Sequence, residues 1–311
     1  MDKFNGLRAF RSVVEEGGFA AAARALGMSR SQTNKLVIAL EEELGVQLFS
    51  RSTRNVAPTS EGLAFYERAR QILEDLHDAE LALTATKSAA VGRLRINTPL
   101  SLGALNFSAI VTGFMRQHPD LEVELVQDTR LIDPIAEGFD CVIRVAMPDE
   151  ETNLVDHRIL PVEYITCASK TYLDAHGLPS HPHDLRDHAI LHYPGAGNSR
   201  FWHFTGADGP ITIPIRPILT ANTLEAIRVA VCDGLGIAAL PRYALQNELD
   251  SGDLVCILRG FGLPNYMLQL IYPPSRHLSA KVQLFTDYLI DYFAAGILRT
   301  NSRTSAAPIS R

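Results

Sequence analysis

The chain has little cysteine, and none of it is spaced for metal or redox chemistry. Its four cysteines, Cys141, Cys167, Cys232 and Cys256, form no CxxC pair and no Cys/His ligand spacing, so neither a zinc site nor a disulfide framework is expected. Buried thiols are the default for such residues, with Cys232, in VCDGLG, the one to watch as a redox sensor. No apolar run reaches the roughly 18 residues of a membrane span. The opening MDKFNGLRAFRSVVEEGG brings charge too early for a secretory apolar core. A cytoplasmic protein with no membrane partner is the resulting expectation. GxSxG, HExxH and P-loop motifs are missing too, which removes three common enzyme signatures. The net charge of −6 excludes a uniformly basic nucleic-acid coat.

That acidity is unevenly spread. Residues 1 to 59 hold eight Lys and Arg against six Asp and Glu, so the negative excess lies downstream. Within this segment, two short helical patterns meet at the tight break Gly27-Met28-Ser29. The second presents Arg30, Ser31, Gln32, Asn34 and Lys35 within about one and a half turns. Its seam of Thr33, Val37, Leu40 and Leu44 follows helical spacing and leaves the polar face free to enter a DNA groove, N-terminal end first. After Leu44-Gly45, LFSRSTRNVAPTS reads as two short strands around a turn. Arg51, Thr53 and Arg54 lie near its tip, where side chains of this kind sit on phosphates or in a narrow minor groove. A head so weakly positive needs a second copy to double its phosphate contacts.

These features make a winged helix-turn-helix, and the chain resembles the LysR-type transcriptional regulators. The resemblance rests on Phe10, Val13, Phe19, Ala22-Ala23, Leu26, Ser29, Lys35, Leu40-Glu41, Leu44-Gly45, Leu48-Phe49, Arg51, Arg54, Thr59 and Gly62. It departs at Ala20, where the family usually has Ser or Thr, and at Asn34, where Ser is usual. Asn pairs bidentately with adenine and Ser does not, so base preference at that DNA-facing position is altered.

From Thr59 as N-cap, a helix is expected to run toward Lys87. Phe65, Ala69, Ile72, Leu76, Ala79 and Leu83 alternate steps of four and three, the rhythm of a coiled-coil seam, and predict a dimerising linker over residues 60–91 that ends in a hinge at Ser88 to Gly92. Downstream, RLRIN (93–97), LEVELVQ (121–127), FDCVIRVA (139–146) and EYITCAS (163–169) are strand-like, with helices from about Leu102 to His118 and near Leu131 to Glu137. A similar set follows, with a helix over Thr223 to Asp233. MLQLIYPP and a helix from Ser279 to Ala295 close the body, and 301–311 reads as a disordered tail. Strands alternating with helices predict an α/β fold with a parallel, doubly wound sheet.

ASKTYLDAHGLPSHPHDL, NTLEAIRVAVCDGLGIAALPRY and IYPPSRHLSAKVQLFTDYL extend the resemblance over nearly the whole chain. It implies a DNA-binding head over 1–59 and an effector-binding body over 92–300 of the type 2 periplasmic-binding-protein-like fold. Subdomain I would comprise 92–162 and 267–300, and subdomain II 163–266. The chain would cross near Pro161 to Val162 and return near Met267, placing a ligand between the two.

Thr98-Pro99-Leu100-Ser101 follows a strand and opens a helix, where free N–H groups favour an anion. Ser101 is the leading ligand candidate, an ordinary N-cap being its alternative. By resemblance, Asn222-Thr223 is the matching turn of subdomain II. Arg144 can hold a ligand carboxylate or pair internally with Asp128 or Asp140. Phe201 and Trp202, with His203, are expected in a loop as an aromatic wall. Thr98 and Asp128 complete the candidate set. His181, His183, His188 and His192 are too irregularly spaced for a metal and read as a surface loop. Neither metal nor cofactor is expected.

Two other classes compete. An enzyme would need the GxGxxA at Gly234 to Ala239 to open a helix, and it follows one instead. A free solute-binding protein would leave residues 1 to 87 unused and would require an export signal. The preferred reading is a cytoplasmic, non-enzymatic transcription factor. Its implied partners are double-stranded promoter or operator DNA, a small effector with an anionic group, RNA polymerase, and further copies of the chain as a homodimer or homotetramer.

Overall fold

The computed structural model describes residues 2–51, 56–83, 91–130, 132–147, 153–194, 200–274 and 279–304, with backbone alone at 51, 78, 79, 81–83 and 296–304. In the head, α1 (Lys3–Glu15) starts at Asp2, whose carboxylate accepts the Phe4 N–H at 3.1 Å. Helices α2 (Phe19–Ala25) and α3 (Arg30–Leu44) follow. Strands β1 (Phe49–Arg51) and β2 (Val56–Pro58) pair antiparallel as a wing, and α4 spans Ser60–Leu83. Phe10, Val13, Ala22, Val37, Leu40, Leu48 and Phe49 share one core, in which Phe10 meets Phe49 edge-on at 5.4 Å. The α3 seam is buried as its spacing predicts, with Thr33 and Leu40 inaccessible and Leu44 packed partly against the core.

Polar contacts fix the passage from α3 into the wing. The buried Glu41 carboxylate accepts the Leu48 N–H at 2.8 Å and the Phe49 N–H at 3.1 Å. At the far side of the wing, the Thr59 hydroxyl donates to the Gln47 carbonyl at 2.8 Å and accepts the Gly62 N–H at 2.9 Å, so it caps α4 as expected. Gly62 is required by space, because a Cβ there would lie 2.1 Å from the Leu48 carbonyl oxygen.

The seam of α4 divides. Phe65 and Ala69 turn inward with Leu73 onto the core of the head, while Ile72 stays 45% exposed and Leu76 half-buried. The first turns of the expected coiled coil are thus spent within the chain, since the apolar face of α1 already offers them a partner. Residues 84–90, including most of the expected hinge, lie outside the described residues.

Among the described residues the body has two five-stranded sheets and one two-stranded hairpin. The first contains β3 (Gly92–Pro99), β4 (Leu121–Asp128), β5 (Cys141–Ala146) and β6 (Val155–Val162), flanked by α5 (Phe107–Gln117) and α6 (Pro134–Glu137). The chain then passes to β7 (Tyr164–Ser169), α7 (Lys170–His176), β8 (Ile190–His192), the hairpin of β9 (Phe201–Gly206) and β10 (Gly209–Pro214), and β11 (Pro217–Thr220). Next come α8 (Leu224–Cys232), β12 (Ile237–Pro241), α9 (Gln246–Ser251) and β13 (Leu254–Ile257). It returns to the first sheet with β14 (Tyr266–Tyr272) and ends in α10 (Ala280–Thr304). The strand orders are β4-β3-β5-β14-β6 and β11-β8-β12-β7-β13. Both sheets are mixed. Strand β3 runs parallel to β4 and β5, but β14 is antiparallel to β5 and β6, and β7 is antiparallel to β12 and β13. The expected parallel core is present; the reversed strands are those that carry the chain between sheets.

Other elements differ from expectation. The helix over Leu102 to His118 is split into a 3-10 turn at Leu100–Leu105 and α5, because Asn106 adopts a left-handed φ of 53°, which Asn tolerates. Strand β6 stands in a stretch not assigned from sequence. Helix α10 passes its expected end at Ala295 and enters the expected tail as far as Thr304, since Ile297, Leu298 and Arg299 resume helix-forming residues after Gly296. Residues 305–311 lie outside the described ones. Between α8 and β12, Gly236 packs so closely that a Cβ would lie 2.5 Å from the Ala189 carbonyl oxygen, so the GxGxxA string serves packing. Lys281 joins α10 to the first sheet, donating to the Arg93 carbonyl at 2.8 Å beside Asp140 at 3.5 Å.

Gly62→Ala is expected to destabilise the head by about 1–3 kcal/mol, the usual cost of overpacking a site that cannot yield. Urea unfolding of the full-length chain, followed by a probe in residues 1–83, measures this; an unchanged midpoint would show that α4 can shift away from Leu48.

Candidate functional site

The tip of α3 is a polar platform. Ser29 caps the helix: its hydroxyl accepts the Gln32 N–H at 3.2 Å, and the Gln32 side-chain oxygen accepts the Ser29 N–H at 2.9 Å. This capping box engages the acceptor of Gln32, so the exposed side chain has only its amide N–H groups left to offer a base edge. Arg30, Ser31, Asn34 and Lys35 are exposed, and no acidic residue stands in the first turn to offset the positive end of the helix dipole. In the wing, Arg51 pairs with Val56 through its backbone; its side chain, and all of Thr53 and Arg54, lie outside the described residues.

In the body, a cavity of about 380 Å3 opens between the two sheets. Strand β3 has parallel neighbours on both sides, one reached through α5 and the other through α6. The chain therefore diverges at its carboxyl end, and such divergence leaves a crevice. Of the candidates, Ser101, Arg144, Phe201 and Trp202 border this cavity. Thr98 does not: it is fully buried within β3 and accepts from the Gln127 amide at 3.2 Å. Asp128 is likewise absent from the lining, paired with Arg130 at 3.2 Å. Asn222 and Thr223 stand outside it as well. The Asn222 amide instead donates across to the Thr129 hydroxyl at 3.2 Å, a residue that does line the cavity.

Ser101 lies at the start of a 3-10 turn, not an α-helix, and its hydroxyl interacts with the phenols of Tyr193, which follows β8, and Tyr243, in the 3-10 turn after β12. Burial pushes both phenols up, and the bond to Ser101 partly offsets it. Tyr164 and Tyr266 pack with ring centroids 4.5 Å apart and planes tilted by 39° on the cavity wall, and burial holds Tyr164 well above the usual phenol range. Arg144 is fixed by Gln269, which accepts from its Nε at 3.0 Å and donates to Asp156 at 3.0 Å. Of the two internal partners first considered for Arg144, Asp128 is engaged by Arg130 and Asp140 by Lys281.

Phe201, Trp202 and His203 lie in β9, correcting their assignment to a loop. Strand alternation exposes Phe201 by half and buries Trp202 against Phe204 and Ile213. His192 is buried at the end of β8 and borders the cavity, so it leaves the surface group to which its spacing assigned it. His181 caps a 3-10 turn, and His188 bonds the Tyr172 phenol at 3.2 Å. Among the described residues no cluster of His, Cys, Asp and Glu is placed to hold a metal, and no helix is long and apolar enough to cross a membrane. Cys141 and Cys167 are buried, whereas Cys232 and Cys256 are only partly so; burial raises the Cys232 thiol, opposite to what a reactive sensor needs.

Asn97 was missed from sequence. It is 3% exposed, borders the cavity, and its amide nitrogen has no hydrogen-bond partner among the described residues. The available signal was an Asn near the carboxyl end of the strand, directly before the Thr98 to Ser101 turn already singled out. Among the described lining residues the charged ones are Arg130 and Arg144, and no carboxylate is present.

Comparison with known proteins agrees with both halves. The family model for the LysR substrate binding domain matches residues 87–294, and that for the bacterial regulatory helix-turn-helix protein of the lysR family matches residues 4–63. An uncharacterized HTH-type transcriptional regulator of Haemophilus influenzae is 33% identical over 282 residues, covering 91% of this chain and 98% of its own. The HTH-type transcriptional activator AaeR of Escherichia coli strain K12 is 32% identical over 295 residues, 94% of each chain. The full-length structure of the Vibrio cholerae virulence activator AphB, at 29% identity, covers 92% of this chain and 98% of its own with a TM-score of 0.58. With a helix-turn-helix head and a two-sheet body each matched along its length, this chain belongs to the LysR family of transcriptional regulators, with a DNA-binding head and an effector-binding body.

Proposed function

We propose that Arg30, Ser31, Asn34 and Lys35 read base edges in a major groove while Arg51, Thr53 and Arg54 hold the adjacent backbone, and that a small anionic molecule in the cavity sets the DNA response. In this reading residues 1–59 bind DNA, 60–91 join copies of the chain as a homodimer or homotetramer, and 92–300 sense the effector. The observation that carries the anionic class is Arg144 on a cavity wall with no carboxylate among its described lining residues, the other lining arginine, Arg130, being already paired with Asp128 and Glu137. An anion there would meet the guanidinium of Arg144, held by Gln269, and the amide of Asn97, within walls made apolar by residues such as Val142, Tyr266 and Leu263. Binding that favours one arrangement of the sheets shifts operator affinity by linkage, with no chemistry performed on the ligand. The protein acts in the cytoplasm, on a promoter and alongside RNA polymerase.

Asn34→Ala should cost about 1–3 kcal/mol at one base position and relax preference there. Binding to a library of operator variants measures it; equal loss on every sequence would remove Asn34 from base reading. Arg144→Gln should weaken a carboxylate effector, found by thermal-shift screening, by about 1.5–3 kcal/mol, roughly ten- to a hundredfold in Kd, with operator affinity in the absence of effector unchanged. Calorimetry with full retention of affinity would place the anion elsewhere. Ile72→Glu puts a charge on the exposed part of the α4 seam and should dissociate the oligomer at micromolar concentration; sedimentation showing the same species as wild type would move the interface off α4.

A further inference from the structure

Three of the four thiols gather on one core of the second sheet: Cys167 within it, Cys232 and Cys256 against it. Cys167 and Cys256 are direct partners in the antiparallel register of β7 and β13. Farther along the same ladder the Lys170 N–H donates to the Asp253 carbonyl at 3.3 Å, so Lys170 and Asp253 form a hydrogen-bonded pair. Antiparallel ladders alternate, and the cysteines, three positions along, therefore form a non-hydrogen-bonded pair. Pairs of that kind hold their Cα atoms about 4.5 Å apart with both side chains on one face. That separation lies inside the roughly 4.4–6.8 Å range of disulfides. Strand β13 is also the edge of its sheet, and Cys256 borders an open groove of about 730 Å3, so a small oxidant can reach it.

We propose that Cys167 and Cys256 are an oxidative modification site, closing a cross-strand disulfide when the protein meets a hydroperoxide. The Cys256 thiolate attacks the hydroperoxide; the O–O bond breaks, an alcohol or water leaves, and Cys256 becomes a sulfenic acid. The Cys167 sulfur then attacks Cys256 Sγ, the S–O bond breaks, and water departs with the thiol proton. Two thiols are oxidised for each hydroperoxide reduced. The order of attack follows from burial, which leaves Cys167 enclosed and its thiol raised. Cys232 lies on α8, outside this ladder. The bond has a mechanical meaning: β7 receives the chain from β6, and β13 sends it back toward β14, so the staple joins the two strands at the crossings between sheets.

Full-length protein treated with hydrogen peroxide or tert-butyl hydroperoxide, then alkylated under denaturing conditions, should retain two of its four thiols, with a Cys167–Cys256 peptide recovered by mass spectrometry and lost on reduction. Cys232→Ser should still form the link, and Cys256→Ser should not. The proposal is overturned if all four thiols survive, if the link involves Cys232, or if Cys256 is driven to sulfinic acid while Cys167 stays alkylatable.

Discussion

The packed pair Tyr164 and Tyr266, ring centroids 4.5 Å apart, is where the body of this protein is tied together. Tyr164 is the first residue of the strand that enters the second sheet, and Tyr266 the first of the strand that comes back. Each crossing alone would be a tether; packed against each other they form a hinge of two adjacent connections with a shared apolar pivot. The mixed strand directions follow from it, because a chain that leaves and returns at neighbouring points must lay down strands of opposite sense. The cavity follows too. Its walls come from both sheets, and the two tyrosines supply the part of the wall nearest the pivot.

Polar contacts already bridge the two sheets beside that pivot. Ser101 reaches Tyr193 and Tyr243, and Asn222 reaches Thr129. A ligand that takes over the Ser101 hydroxyl gains only the difference between two hydrogen bonds, about 1 kcal/mol or less. Asn97 stands differently: its buried amide has no partner among the described residues, so a ligand acceptor placed there recovers a desolvation cost already incurred. On the function proposed above, affinity and coupling would be separated, with Asn97 and Arg144 holding a ligand and Ser101 registering it.

Sequence patterns were most legible where local rules act alone. The spacing of Thr33, Val37 and Leu40 located the buried face of α3, and Thr59 announced the start of α4. Patterns were ambiguous where one residue has two uses. Gln32 looks like a base reader and also satisfies the capping rule, which took its acceptor; Phe65 and Ala69 fit a heptad seam and also the face required by α1. The cavity was half legible. Ser101 and Arg144 lie beside strand ends that the sequence marks, as does Asn97, but Tyr193 and His192 reach it only because the chain crosses to the second sheet, a relation between distant segments that no local pattern encodes. Asn222 failed for the same reason: the turn was correctly placed on the chain, and the geometry of the cleft put it on the rim.

The division of duties along α3 has a consequence for how such a head changes over time. Thr33, Val37, Leu40 and Glu41 carry the packing and the link to the wing, while Arg30, Ser31, Asn34 and Lys35 are exposed. Substitutions at those four positions can therefore accumulate at nearly constant stability, where surface changes typically cost no more than about 0.5 kcal/mol. With those four positions as the proposed base readers, a duplicated copy of this chain could drift toward a new set of target promoters without passing through an unfolded intermediate, keeping its sensing half unaltered while its address changes.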